Sequence, residues 1–235
     1  MPPFSSSQFS STKRSYHRLI RGIGLSLVVL VLFVWQQPFV LVEYITRDPA
    51  AIARHPIYYG ALSNLGVLLW SASATACLLG TLAVKALSGR QETVYFFTAF
   101  GILNALLCAD DLFLIHESIL PHKLGIPEEV MFAFYIAALS SMLLRFRKTL
   151  LRTQPLVLGT SLLLFALSVS SDLAPVISNL PRNDIFALED GSKFIAIFVW
   201  SSYFIWTTVE TIALLASSLS VRTEEMENAL STSQK

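Results

Sequence analysis

Between Cys108 and Glu117 the chain reads CADDLFLIHE, which sets two aspartates, a histidine and a glutamate in an otherwise apolar stretch. Carboxylates and imidazoles are the side chains that act as general acids and bases and that ligate divalent metals. Further along, LEDGSK (188–193) brings Glu189, Asp190 and Lys193, and Asp172 closes another apolar run. Mixed carboxylate and imidazole donors suit Zn²⁺ or another transition ion, whereas carboxylates alone suit Ca²⁺ or Mg²⁺. The expectation is therefore one divalent ion, Zn²⁺, Mn²⁺ or Ca²⁺, held by residues drawn from Asp110, His116, Glu117, Asp172, Glu189 and Asp190. Asp111, Glu117 and Lys193 are the expected catalytic residues, Lys193 steadying an anion.

These residues must be positioned by long apolar elements. The composition is 54% hydrophobic and 14% charged with a mean hydropathy of +0.60, outside the range of ordinary soluble domains. A net charge of +1 offers no field for nucleic acid. Cys77 and Cys108 lie in apolar runs and read as small hydrophobes rather than a disulfide framework. Six windows, 22–45, 57–84, 93–117, 128–145, 154–172 and 188–217, approach the roughly 20 residues that cross a bilayer core of about 30 Å. The fold class expected is all-α: an integral membrane bundle of six transmembrane helices over residues 19–219. Polar tails flank it at 1–18 and 220–235. The apolar run after Arg21 continues past Pro38 without a small-x-small site, so the first window reads as an uncleaved span.

Basic residues set the orientation. Lys13, Arg14, Arg18, Arg21, Lys85, Arg90, Arg145, Arg147, Lys148, Arg152, Arg222 and Lys235 share one side, twelve of the seventeen. Both termini are thus expected in the cytoplasm, at the plasma membrane. Most acids fall on the opposite side, among them every acidic candidate site residue. At 100° per residue Asp110 and Glu117 would share a face of one helix, about 10.5 Å apart. Gly101, Ala105 and Ala109 form a small-residue row for close helix contact, as do Ala72, Ala76 and Gly80.

Plainer roles compete for several of these residues. Glu128 and Glu129 follow Pro127, as first-turn acids do at a helix start. Lys193 is spaced to pair with Glu189 or Asp190 along its own helix. Within the third window, by contrast, no cation offsets Asp110, Asp111 and Glu117. Known motifs fail: His116-Glu117 opens an HExxH pattern, but Leu120 stands where the second histidine belongs.

The pair DDLFLIHE and EDGSKF, that is DDxxxxHE followed by EDGxK, resembles a pattern of uncharacterised bacterial polytopic membrane proteins. The resemblance covers two of the six helices. It implies that Asp110, Asp111, His116, Glu117, Glu189, Asp190 and Lys193 belong to one constellation, and it brings no activity with it. The functional expectation is metal-dependent hydrolysis of a lipid or membrane-embedded substrate near the extracytoplasmic face. The partners expected are the lipid bilayer and a lipid substrate. A proton- or cation-coupled transporter and a non-catalytic membrane subunit are the alternatives.

Overall fold

The computed structural model describes residues 21–22, 24–47, 49–56, 58–173 and 182–233, and every regular element among them is helical. The expected tail over 1–18 lies outside the described residues. Two compact units, Met1–Tyr59 and Gly60–Lys235, divide the chain.

In the first unit, α1 (Gly24–Gln36) stops before Pro38, which has no N–H to continue a helical ladder. The Gln37 side-chain oxygen accepts from the amides of Phe39 and Val40 at 2.8 and 2.9 Å, closing the turn. Two short helices follow, α2 (Val42–Thr46) and α3 (Pro49–Ala53). The window expected as one span over 22–45 is therefore broken.

The second unit contains α4 (Ala61–Leu87), α5 (Gln91–Phe113), a π-helical segment (Ile115–Leu124), α6 (Glu128–Arg145), α7 (Arg147–Leu150), α8 (Pro155–Leu173) and α9 (Arg182–Ser233). Three stretches among the described residues are long and apolar enough to cross a membrane: Ala61–Leu87, Gln91–Phe113 and Ala187–Glu225. The 18 residues of α6 include Glu128, Glu129 and Arg145. α9 runs through the segment expected as a C-terminal tail, where Glu, Met, Leu and Ala all favour helix.

α4 packs against both α5 and α9, and α9 packs also against α8. Its interior is aromatic: Phe96, Phe97, Phe100, Trp200, Tyr203 and Phe204 are all buried. Phe100 meets Phe204 at 5.0 Å between ring centres, and Trp70, Phe165 and Trp200 form a triangle with sides of 5.9–6.2 Å that joins α4, α8 and α9. Polar side chains stitch the same interior. Ser73 bonds Ser201 at 2.8 Å, Ser161 donates to the Ala196 carbonyl at 3.0 Å, and Thr208 donates to the Ala76 carbonyl at 3.1 Å. Leu68, Leu78, Leu79 and Leu82 of α4 instead face outward. Hydrogen bonds inside and leucine outside is the arrangement a lipid solvent favours, because helix association there relies on close packing and interhelical polar contacts.

Only part of the expected small-residue packing is present. A Cβ on Gly80 would lie 2.9 Å from the buried Phe97 ring, and one on Gly101 would lie 3.2 Å from the Cys77 Cβ. Ala105, expected in the same contact row, is exposed. Gly80→Val is expected to lower stability by about 1–3 kcal/mol through overpacking, whereas Ala105→Leu should change it by less than about 0.5 kcal/mol. Thermal unfolding of both variants in detergent checks this; equal effects at the two positions would contradict the α4–α5 contact.

Candidate functional site

Helix α5 ends on Phe113 because Leu114 adopts the left-handed conformation, with φ 51° and ψ 45°. For a residue with a Cβ this costs on the order of 1–3 kcal/mol. Beyond it the chain resumes as a wider helix, in which the Ile119 amide reaches the Leu114 carbonyl five residues back at 3.1 Å. Pro121 lies within this segment. In an α-helix its ring would collide with the carbonyl of Glu117, four residues earlier, which helps explain the wider turn. Gly125, at φ 66°, stops the segment, and its amide bonds the Leu120 carbonyl. The register expected for one continuous helix over 93–117 is therefore lost. Asp110 and Glu117 do not share an α-helical face, and His116 is not aligned with Gly101 and Ala105.

What the break creates is a contact between residues six apart. The Asp110 carboxylate accepts the His116 backbone amide on Oδ1 at 2.9 Å and faces His116 Nδ1 with Oδ2 at 2.8 Å. Both side chains are more than nine-tenths buried. An ionised carboxylate can only accept, so Nδ1 carries a proton, and in the neutral ring the lone pair is then on Nε2. Nε2 lies 3.5 Å from Glu117 Oε1 and 3.8 Å from Glu128 Oε1. Phe132 of α6 packs near the ring, 5.7 Å between centres, and Tyr135 lies close enough to Asp110 to interact with its carboxylate.

Asp111 is held separately. Its Oδ1 accepts from Lys193 Nζ of α9 at 3.1 Å and its Oδ2 from Trp70 Nε1 of α4 at 2.8 Å. Lys193, expected to steady an anion or to pair along its own helix, thus neutralises a carboxylate on another helix. About two turns deeper, Trp200 Nε1 donates to the buried Asn104 side-chain oxygen at 2.8 Å, fixing α9 against α5.

These groups border a cavity of about 510 Å³. Its lining includes Asp110, Asp111, His116, Glu117, Glu189, Asp190 and Lys193, the residues that the family resemblance groups together, as well as Glu128. The side chain of Asp172 lies outside the described residues. Aromatic and aliphatic residues from α4, α5, α6, α8 and α9 form the remaining wall, Trp70, Phe132, Phe165 and Trp200 among them. Among the described residues no group of three His, Cys, Asp or Glu side chains is arranged to hold a metal ion. Asp110, expected as a ligand, directs both oxygens at His116.

Sequence reasoning missed Glu128, Trp70, Tyr135 and Asn104. Glu128 was accounted for by its place in the first turn of α6, and both roles coexist. For Trp70 the available signal was an indole N–H in an apolar helix, which must find an acceptor when buried.

The chain belongs to the family described as "Domain of unknown function (DUF8692)", whose model matches residues 22–207. That range contains every residue of the candidate site. No curated protein and no solved structure matches the chain.

Proposed function

We propose that this chain is a membrane-embedded hydrolase of a lipid or other amphiphilic substrate, with His116 as its general base. The observation that carries the reading is the His116 ring, whose Nδ1 is tied to a buried carboxylate while the residue lines a cavity of ligand size. In this reading a water molecule attacks the scissile carbonyl carbon or phosphorus and loses its proton to Nε2. Asp110 stabilises the resulting imidazolium and keeps the ring oriented, as a carboxylate does behind a catalytic histidine. The leaving oxygen or nitrogen departs with that proton, which restores neutral His116. Glu117 and Glu128, near Nε2, favour the charged ring and with it the transition state. The Asp111–Lys193–Trp70 contact joins α4, α5 and α9 behind the reacting groups, so Asp111 and Lys193 act as positioning residues.

The topology belongs to the same proposal: six spans, the first interrupted near Pro38, and both termini in the cytoplasm. Its support is the twelve-to-five division of Lys and Arg and the three helices with spanning length. The π-helical segment then lies near the extracytoplasmic face. Single cysteines introduced over 121–127 should react with an impermeant maleimide in intact cells, and cysteines in the C-terminal end should not. Labelling of both from the same side would reverse the orientation.

The chemistry is tested with chromogenic acyl and phosphoryl esters of long-chain alcohols, presented to the purified protein in nanodiscs. His116→Ala should lower kcat/KM by about 10²–10⁴-fold, the usual contribution of a positioned general base, and Asp110→Asn should do so with little change in KM. A His116→Ala protein as active as the native one would end this reading.

A further inference from the structure

The turn that joins α6 to α8 is anchored on its inner side and charged on its outer side. Phe146 and Leu150 are buried, and Phe146 packs on Phe96 of α5 at 5.6 Å between ring centres. Thr153 shares a 2.7 Å hydrogen bond with the Tyr203 hydroxyl of α9. The Leu150 amide bonds the Phe146 carbonyl and the Leu151 amide the Arg147 carbonyl, both at 3.0 Å, so the backbone stays helical through α7. With positions 146 and 150 turned inward, Arg147, Lys148, Leu151 and Arg152 fall on the other side of that helical turn. All four are exposed. Among the described residues none of the three bases forms an ion pair; Glu92, an acid of this end, is faced instead by Arg145 at 3.9 Å. Apolar surface surrounds the charge, for Leu144, Leu151 and Leu156 are 72, 72 and 85% exposed.

We propose that this turn binds the headgroup of an anionic glycerophospholipid. Arg147, Lys148 and Arg152 contact its phosphate, and Leu144, Leu151 and Leu156 lie along its acyl chains. Guanidinium groups match phosphate oxygens two at a time, and the long stems of Arg and Lys let the charged ends reach headgroup level from a leucine-rich surface. A soluble phosphate would satisfy the bases and leave the leucines without a partner; a lipid supplies both. The preference of basic residues for the cytoplasmic side accounts for their presence at this end. It does not account for three of them gathered on one face of a turn that the core holds still. The site is separate from the proposed hydrolysis, because α6 carries Glu128 at its other end, about 25 Å away.

The test is thermal unfolding of the purified protein in decyl maltoside with three probes: dioctanoyl phosphatidylglycerol, dioctanoyl phosphatidylcholine and inorganic phosphate. Phosphatidylglycerol should raise the Tm saturably. It should bind at least about tenfold tighter than phosphatidylcholine, and about 0.5 M salt should remove most of that difference. Inorganic phosphate at the same concentrations should leave the Tm unchanged. Arg147→Gln, Lys148→Gln and Arg152→Gln combined should weaken phosphatidylglycerol at least about tenfold. The ligand-free Tm of that variant should match the native one, because all three side chains are exposed. Lys85→Gln with Arg90→Gln, which removes two exposed bases from the neighbouring α4–α5 turn, should change the affinity by less than about twofold. Equal affinity for phosphatidylcholine, or an equal shift from inorganic phosphate, would overturn the proposal. So would an unaffected triple variant, or the same loss in the Lys85 and Arg90 control, which would reduce the effect to the general field of that side.

Discussion

The structure turns on a backbone constraint at Leu114. Where an α-helix stops, amides and carbonyls lose their partners, and in an apolar interior each must be answered by some other group. Asp110 supplies that answer for His116: one oxygen takes the amide released by the break, and the other holds the imidazole. A single buried carboxylate thereby stabilises the wider helix and orients the ring. Removing it would leave both a buried amide and a buried imidazole without an acceptor, a loss on the order of several kcal/mol by the behaviour of other buried pairs.

Around this break the remaining charges are arranged with economy. Lys193 reaches from α9 to Asp111 of α5, and Trp70 of α4 closes on the same carboxylate, so three helices meet at one neutralised acid. Trp200 and Asn104 repeat the device about two turns deeper without charge. The aromatic triangle of Trp70, Phe165 and Trp200 then continues the contact into the apolar wall. The same residues that join the helices thus also line the cavity.

Much of this was legible in the sequence because it follows from composition. An all-helical fold and apolar runs with little polar striping could be read from residue type and spacing, and the gathering of DDLFLIHE with EDGSK was what the family resemblance implied. The structure brings Asp110, Asp111, His116, Glu117, Glu189, Asp190 and Lys193 to the lining of one cavity. The arrangement within that lining was not legible. Angular reasoning assumed an unbroken helix from 93 to 117, yet Leu114 is a good helix former and carries no local signal of a left-handed residue. Only Pro121 hinted that the helical register changes nearby. Glu128 was hidden by a sufficient explanation, since a first-turn glutamate accounts for itself without any site. Trp70 and Trp200 were hidden because their role depends on which helices are neighbours, and pairing between helices is a tertiary fact. The break at Pro38 was within reach, because proline forbids continuation of the α-ladder, but the apolar run was allowed to outweigh it.

The central claim is that Asp110 fixes one tautomer of His116, with the proton on Nδ1 and the lone pair of Nε2 turned toward Glu117 and Glu128. Nitrogen-15 NMR of histidine-labelled protein in nanodiscs reads this directly, since the two ring nitrogens of neutral imidazole differ strongly in shift. The protein has 4 histidines, and the His116→Ala spectrum identifies the resonances of the one that matters. At neutral pH the account predicts a protonated Nδ1 and an unprotonated Nε2 for His116, with the preference lost in Asp110→Ala. A proton found on Nε2 with Nδ1 bare, or a spectrum indifferent to Asp110, would contradict it.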